Sequence, residues 1–261
     1  MVRVADVDLE VFERGPQSAE TVVFLHDLDY LNGIEYPFLE LIAQTYRVLA
    51  PSHPGFGGSF LPEDFDSVDD IVYVYLDWLE QLGPVHLIGA GFGGWIAAEV
   101  AVRCNHGLRS VTLVDALGIK VGDRTTSDIK DLFVLSPREV IDACWHDPEL
   151  GERLMPLPVA GKGFDEDTLT RLLGNRRTAA LVGWNPFLHN PKLRRRMRRI
   201  KVPTLVIWGA SDALVTTEYG RAYAQAIPHA RFEIVQHAGH YPYLERPTEF
   251  VHALEPLLRA A

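Results

Sequence analysis

The chain has 261 residues, 47% of them apolar and 23% charged, with 21 Gly and 17 Pro, and is long enough to bury a sizeable core as one globular domain with an inserted subdomain. A formal charge of −10, from 25 Lys and Arg against 35 Asp and Glu, speaks against a general nucleic-acid binder. Two cysteines, Cys104 and Cys144, supply neither a disulfide framework nor a zinc cluster, and no metal or cofactor is expected. The start, Met1 to Asp6, lacks an apolar signal-peptide core, and no run approaches the roughly 18 apolar residues of a membrane span. A cytoplasmic protein, monomeric or homodimeric, acting on a small molecule is the expectation.

Val7 to Glu13 alternates apolar and polar residues, predicting a half-buried strand. Thr21 to Leu25 and Tyr46 to Ala50 are continuous apolar runs, interrupted only by Arg47, as in strands covered on both faces. Ser67-Val68-Asp69-Asp70 predicts a capping box with Asp as the reciprocal partner. Its helix carries Ile71, Tyr75, Trp78, Leu79 and Leu82 on one face and stops at Gly83-Pro84. Val85 to Ile88 predicts a third buried strand, followed by a glycine-rich turn and an apolar helix over Trp95 to Cys104; Val111 to Val114 is a fourth. This alternation implies a mostly parallel, doubly wound α/β sheet.

From Leu117 to Ile200 the strand pattern gives way to short helical segments rich in Phe133, Leu135, Trp145, Leu154, Met155, Leu172, Leu173, Trp184 and Phe187. Pro203 to Trp208 and Arg231 to Val235 return to strands, and Pro247 to Leu258 closes the chain as a helix. The expected division is a core of residues 1–116 and 201–261 with a helical cap over 117–200. The basic run from Lys192 to Lys201 is read as a solvated helix face.

Gly89-Ala90-Gly91-Phe92-Gly93-Gly94 allows two readings. As G-x-G-x-x-G, with Gly89, Gly91 and Gly94, it matches a dinucleotide fingerprint, and Asp115 stands where a ribose-binding acid would. That fingerprint usually sits on the first strand of its domain, whereas here strands precede it. As G-x-S-x-G it is a nucleophile elbow with glycine in place of serine at Gly91. The second reading also accounts for His26-Asp27 at a strand end, for His53-Pro54-Gly55-Phe56-Gly57, for Gly209-Ala210-Ser211-Asp212, and for Gly239-His240 after the last strand.

On these motifs nearly the whole chain resembles the α/β-hydrolase superfamily, in its esterase, epoxide-hydrolase and carbon–carbon-bond-hydrolase branches. The resemblance implies a sheet of about eight strands. It implies that Asp212 is the triad acid, His240 the triad histidine, and Gly91 the nucleophile position. The Phe92 and Leu28 amides match the oxyanion donors, and His26-Asp27 stands where the family places His-Gly. Asp115 is then expected to be structural, His26 to orient its loop, His53 to belong to a turn, and Cys104 to be packing. His146 and His237 show no partner in sequence.

Gly91 has no side chain, so neither a serine acyl-enzyme nor an aspartate ester can form on it. Glycine relieves elbow strain on the order of 1–3 kcal/mol, and the vacated space is expected to hold a water near His240. Three outcomes stay open: weak water-mediated ester or carbon–carbon-bond hydrolysis, base chemistry of a lyase or cofactor-free dioxygenase, and ligand binding by an inactive or engineered form. Losing a triad nucleophile still leaves roughly 10³–10⁴-fold catalysis over water. Pairing with Asp212 is expected to bring the His240 pKa near neutrality. The cap's aromatic content suggests a small hydrophobic or aromatic acyl-type ligand.

Overall fold

The computed structural model describes residues 1–28, 36–155 and 166–260. Residues 156–165, inside the expected cap, lie outside them. The strands are β1 (Val2–Val4), β2 (Val7–Leu9), β3 (Val11–Arg14), β4 (Thr21–Leu25), β5 (Arg47–Pro51), β6 (Val85–Ala90), β7 (Leu108–Val114), β8 (Thr204–Gly209) and β9 (Arg231–Val235). The helices are α1 (Pro37–Ile42), α2 (Val68–Leu82), α3 (Gly91–Arg103), α4 (Pro137–Cys144), α5 (Pro148–Leu154), α6 (Glu166–Gly183), α7 (Leu193–Arg196), α8 (Thr217–Ala226), α9 (Pro242–Glu245) and α10 (Pro247–Ala260).

Seven strands form one sheet in the order β3-β5-β4-β6-β7-β8-β9, with β1 and β2 in a separate small sheet. Only β3 runs antiparallel to its neighbour; every other pairing in the large sheet is parallel. The expected mostly parallel sheet is thus met by seven strands plus a two-stranded ribbon. β6 and β8 are buried at every position, the signature of central strands with helices on both faces. The predicted capping box forms: Asp70 Oδ2 accepts from the Ser67 amide at 2.9 Å.

The single strand expected over Val7 to Glu13 is instead two, β2 and β3, in different sheets. The break falls at Glu10, whose amide donates to Ser59 Oγ at 2.9 Å. Its carboxylate accepts from Ser52 Oγ and the Gly58 amide, both at 2.9 Å. Those bonds engage the Glu10 amide and carboxylate, while its carbonyl still accepts from the Ser52 amide at 2.8 Å, and they pin the loop that follows His53.

Between β7 and β8 the described residues contain α4 to α7 and a 3₁₀ turn over Met197–Arg199. Leu193, Met197 and Ile200 are buried, so the basic segment anchors itself through apolar residues between its arginines. Among the described residues no helix is long and apolar enough to cross a membrane.

Candidate active site

Parallel strands deliver their C-terminal ends to one edge of the sheet, where such folds place their ligands. His26 and Asp27 follow β4, Gly91 and Phe92 follow β6, Asp115 follows β7, Asp212 follows β8, and His240 lies beyond β9. The β8 and β9 exits approach closely enough that a Cβ on Gly209 would lie 1.8 Å from the Gly239 carbonyl oxygen. The Ser211 amide donates to the Ala238 carbonyl at 2.8 Å, tying the two loops together.

His240 Nδ1 lies 2.7 Å from Asp212 Oδ2, while Asp212 Oδ1 accepts from the amides of Leu214 and Val215 at 2.9 and 3.1 Å. An acceptor-only carboxylate fixes the proton on Nδ1. The His240 backbone is held by its amide's 2.7 Å bond to the Cys144 carbonyl. Glu245 Oε1 accepts from the amides of His146 and Asp147 at 3.0 and 2.9 Å, and its Oε2 accepts from the Gly239 amide at 2.6 Å. His146, without a partner in sequence, meets Ser211 Oγ at 2.8 Å.

The turn from β6 into α3 is sharp: Gly91 has φ +51°, a conformation that strains residues with side chains. Close packing accounts for Gly93, where a Cβ would lie 2.2 Å from the Leu25 carbonyl oxygen. Its amide donates to the His26 carbonyl at 3.0 Å, joining α3 to the β4 exit.

The space expected to hold a water is filled instead by the Asp27 carboxylate. A Cβ on Gly91 would lie 2.0 Å from Asp27 Oδ1 and 2.1 Å from its carboxyl carbon. Oδ1 accepts from the Phe92 amide at 2.6 Å, so the first expected oxyanion donor is already engaged. Oδ2 lies 3.1 Å from His240 Nε2. His240 therefore bridges two buried carboxylates. Burial by itself would lower its pKa, but the Asp212 charge and hydrogen bond, joined by those of Asp27, lift it well above 6.5. The direction runs against the expectation of a near-neutral base: the two carboxylates favour the charged imidazolium.

Behind the pair stands Asp115, fully buried with φ +43°, whose Oδ1 accepts from the Gly209 amide at 2.9 Å. Burial and the neighbouring Asp212 charge raise its pKa well above the usual carboxylate range, keeping it protonated. Ligand-capable atoms of Asp115, Asp212 and His240 lie within 4.8 Å of one another, a spacing that would also admit a cation. The Asp212–His240 hydrogen bond and a protonated Asp115 account for that closeness.

His26 and His53 support Asp27 from below. The His53 amide donates to His26 Nε2 at 3.0 Å, so His26 carries its proton on Nδ1, which lies 2.6 Å from the Asp27 carbonyl. His53 Nε2 bonds the His26 carbonyl at 2.8 Å and its Nδ1 meets Tyr75 Oη at 2.6 Å. Burial pushes both imidazoles down, His53 to about 4, and each stays neutral. Leu28 lines a space of about 20 Å³, room for one water, with Leu132, Phe133, Val140, Arg176 and Ala179.

A model of the alpha/beta hydrolase family matches residues 22–253. The chain is 27% identical over 253 residues to the pimeloyl-[acyl-carrier protein] methyl ester esterase of Chromobacterium violaceum, covering 94% of this chain and 95% of that one. It is 25% identical over 237 residues to the 2-hydroxymuconate semialdehyde hydrolase of Pseudomonas putida, covering 84% and 79%. Among solved structures, the meta-cleavage product hydrolase of Pseudomonas fluorescens IP01 superposes with a TM-score of 0.77 at 19% identity, covering 98% of this chain and 96% of that one.

Proposed function

The chain belongs to the alpha/beta hydrolase family, and from that premise we propose that it hydrolyses a small hydrophobic or aromatic acyl or ketone substrate through His240 and Asp212, without a serine nucleophile. The relatives that act on esters and on carbon–carbon bonds support this class. The observation that carries it is the 2.7 Å bond between His240 Nδ1 and Asp212 Oδ2, with Nε2 turned toward the elbow.

Turnover by this route is slow, for two reasons. No acyl-enzyme can form on Gly91, and His240 accepts a proton from water only after losing its own. A second reading, a ligand-binding protein without turnover, is favoured by Asp27 standing at the Phe92 amide, where an oxyanion would otherwise bind.

The test is hydrolysis of a panel of activated aryl esters by the protein and by His240→Ala. Slow turnover that disappears in the variant supports the hydrolase. Equal rates in both overturn it, and tight ligand retention with no turnover selects the second reading.

A further inference from the structure

Trp95, Glu99 and Arg103 recur every four residues along α3 and so share one of its faces. That face forms a wall of a cleft of about 410 Å³, bounded also by the start of α2 and by the segment that leads from α6 into α7. The volume lies within the roughly 300–1,000 Å³ of small-molecule sites, and neither His240, Asp212 nor Asp27 lines it. We propose that this cleft is a second ligand site, and that it takes a small aromatic carboxylate. The site stands on the cleft itself. That such an acid is at hand rests on the proposed ester hydrolysis, whose products are carboxylic acids.

The charges around the cleft divide into two sets. On the α3 wall Arg103 pairs with both Glu99 and Asp69, and Glu99 Oε1 accepts from Asn190 Nδ2 at 2.7 Å. Glu99 is buried, and these side chains satisfy one another. On the α7 side stand Lys192 and Arg196, and among the described residues no acid or carbonyl engages either side chain. Two cations without partners, in a chain of net charge −10, favour an anionic guest. The carboxylates of Asp69 and Glu99 repel a second negative charge, so a monoanion fits better than a phosphate dianion.

The rest of the lining suits a flat apolar body. Val182, Pro186 and Pro191 offer no side-chain hydrogen bonds, and Trp95 adds an indole. The Trp95 Nε1–H is buried without a hydrogen-bond partner, an unfavourable state for a donor. A carboxylate entering the cleft supplies an acceptor that the fold itself lacks. Neutral aromatic molecules lack the charge and inorganic anions lack the ring, so only an aromatic acid uses both parts of the lining. Trp95 meets Phe92 edge-on, with ring centroids 5.9 Å apart at 88°. A ligand beside Trp95 therefore lies one aromatic ring from the Gly91 turn without touching His240 or Asp212.

The test is titration of the whole chain with sodium benzoate, followed by calorimetry and by the indole N–H signals in nitrogen-15 NMR spectra. Trp95→Phe identifies the Trp95 signal among those of the five tryptophans. Benzoate should bind saturably and move that signal. It should bind at least about tenfold more weakly when Lys192→Gln and Arg196→Gln are combined, and as tightly as to the parent in His240→Ala. If Trp95→Phe fails to fold, calorimetry on the other variants decides alone. Absence of saturation below about 10 mM overturns the proposal. So does binding that is lost in His240→Ala and kept in the double variant, which puts the acid in the catalytic space. Equal affinity for benzamide means that charge is not read, and equal affinity for inorganic phosphate means that the ring is not read; either overturns the proposed ligand class. Saturable benzoate binding at this cleft in a protein that hydrolyses no ester keeps the site and overturns the hydrolase reading.

Discussion

The carboxylate of Asp27 stands in the space that any side chain on Gly91 would need, with its Oδ1 2.0 Å from the position of a Gly91 Cβ. The two loops thus share one volume: Gly91 has no side chain, and the Asp27 carboxylate fills the place one would take. Adding only a serine, as Gly91→Ser, puts two groups in one place. That variant should gain nothing in aryl ester hydrolysis over the parent protein and lose several degrees of Tm, since overpacking costs about 1–3 kcal/mol and the φ of +51° adds strain. Asp27→Gly combined with Gly91→Ser removes the clash and frees the Phe92 amide. The double variant should gain roughly 10³-fold in aryl ester hydrolysis over the parent protein. Equal gains in the single and double variants would refute the steric account.

The proton on His240 depends on the same carboxylate. Asp27→Asn removes a charge 3.1 Å from Nε2, leaving Asp212 as the remaining partner that stabilises the imidazolium. The His240 pKa should fall in the variant, and the rising limb of any ester hydrolysis should move to lower pH. Titration of the His240 ring by NMR reads this directly. An unchanged midpoint would show that Asp27 does not share in holding the charge.

The opposite shift at His26 and His53 makes a stability prediction on the acid side. Both are buried and neutral, with folded pKa values below 6.5, so their contribution is complete above 6.5 and is lost as pH falls toward the folded value. For His53, displaced to about 4, the loss is on the order of 3 kcal/mol. His240, shifted upward, is flat in that window and weakens stability only as pH rises above 6.5. Asp115 has the reverse sign from the histidines across the acid range, so the slope is best read in Asp115→Asn. Urea midpoints in that variant should fall steadily from pH 6.5 to 4.5. A flat profile would mean that both imidazoles are already protonated in the fold.

The order of Gly91, Asp212 and His240 along the chain was enough to bring three residues to one site, because each follows a strand of the parallel sheet and parallel strands share an end. Asp27 was visible only as an aspartate where the family has glycine. Its meeting with Phe92, 65 positions away, depends on how β4 and β6 lie side by side, which no local pattern records. The break at Glu10 was hidden for a similar reason. Apolar alternation runs straight through it, and the serines and glycine that capture its amide and carboxylate lie in a distant loop. Asp115 reads in sequence as a structural residue, since sequence holds no trace of the Asp212 charge beside it.

Asp115→Asn is the substitution expected to strengthen the protein. A buried acid with a raised pKa contributes fully to stability only below its unfolded value of 3.8, and that contribution is lost as pH rises through the folded value. Asparagine has no proton to lose and reproduces the protonated acid in shape. Its side-chain oxygen can accept from the Gly209 amide as Oδ1 does at 2.9 Å, and its NH₂ takes the place of a buried Oδ2 that has no hydrogen-bond partner. The left-handed backbone, φ +43°, also tolerates Asn well. The variant should match the parent near pH 4 and exceed it increasingly toward pH 8, as measured by urea unfolding at each pH. A loss of more than about 1 kcal/mol at pH 8 would mean that Asp115 is ionised in the folded protein and that its charge is needed there.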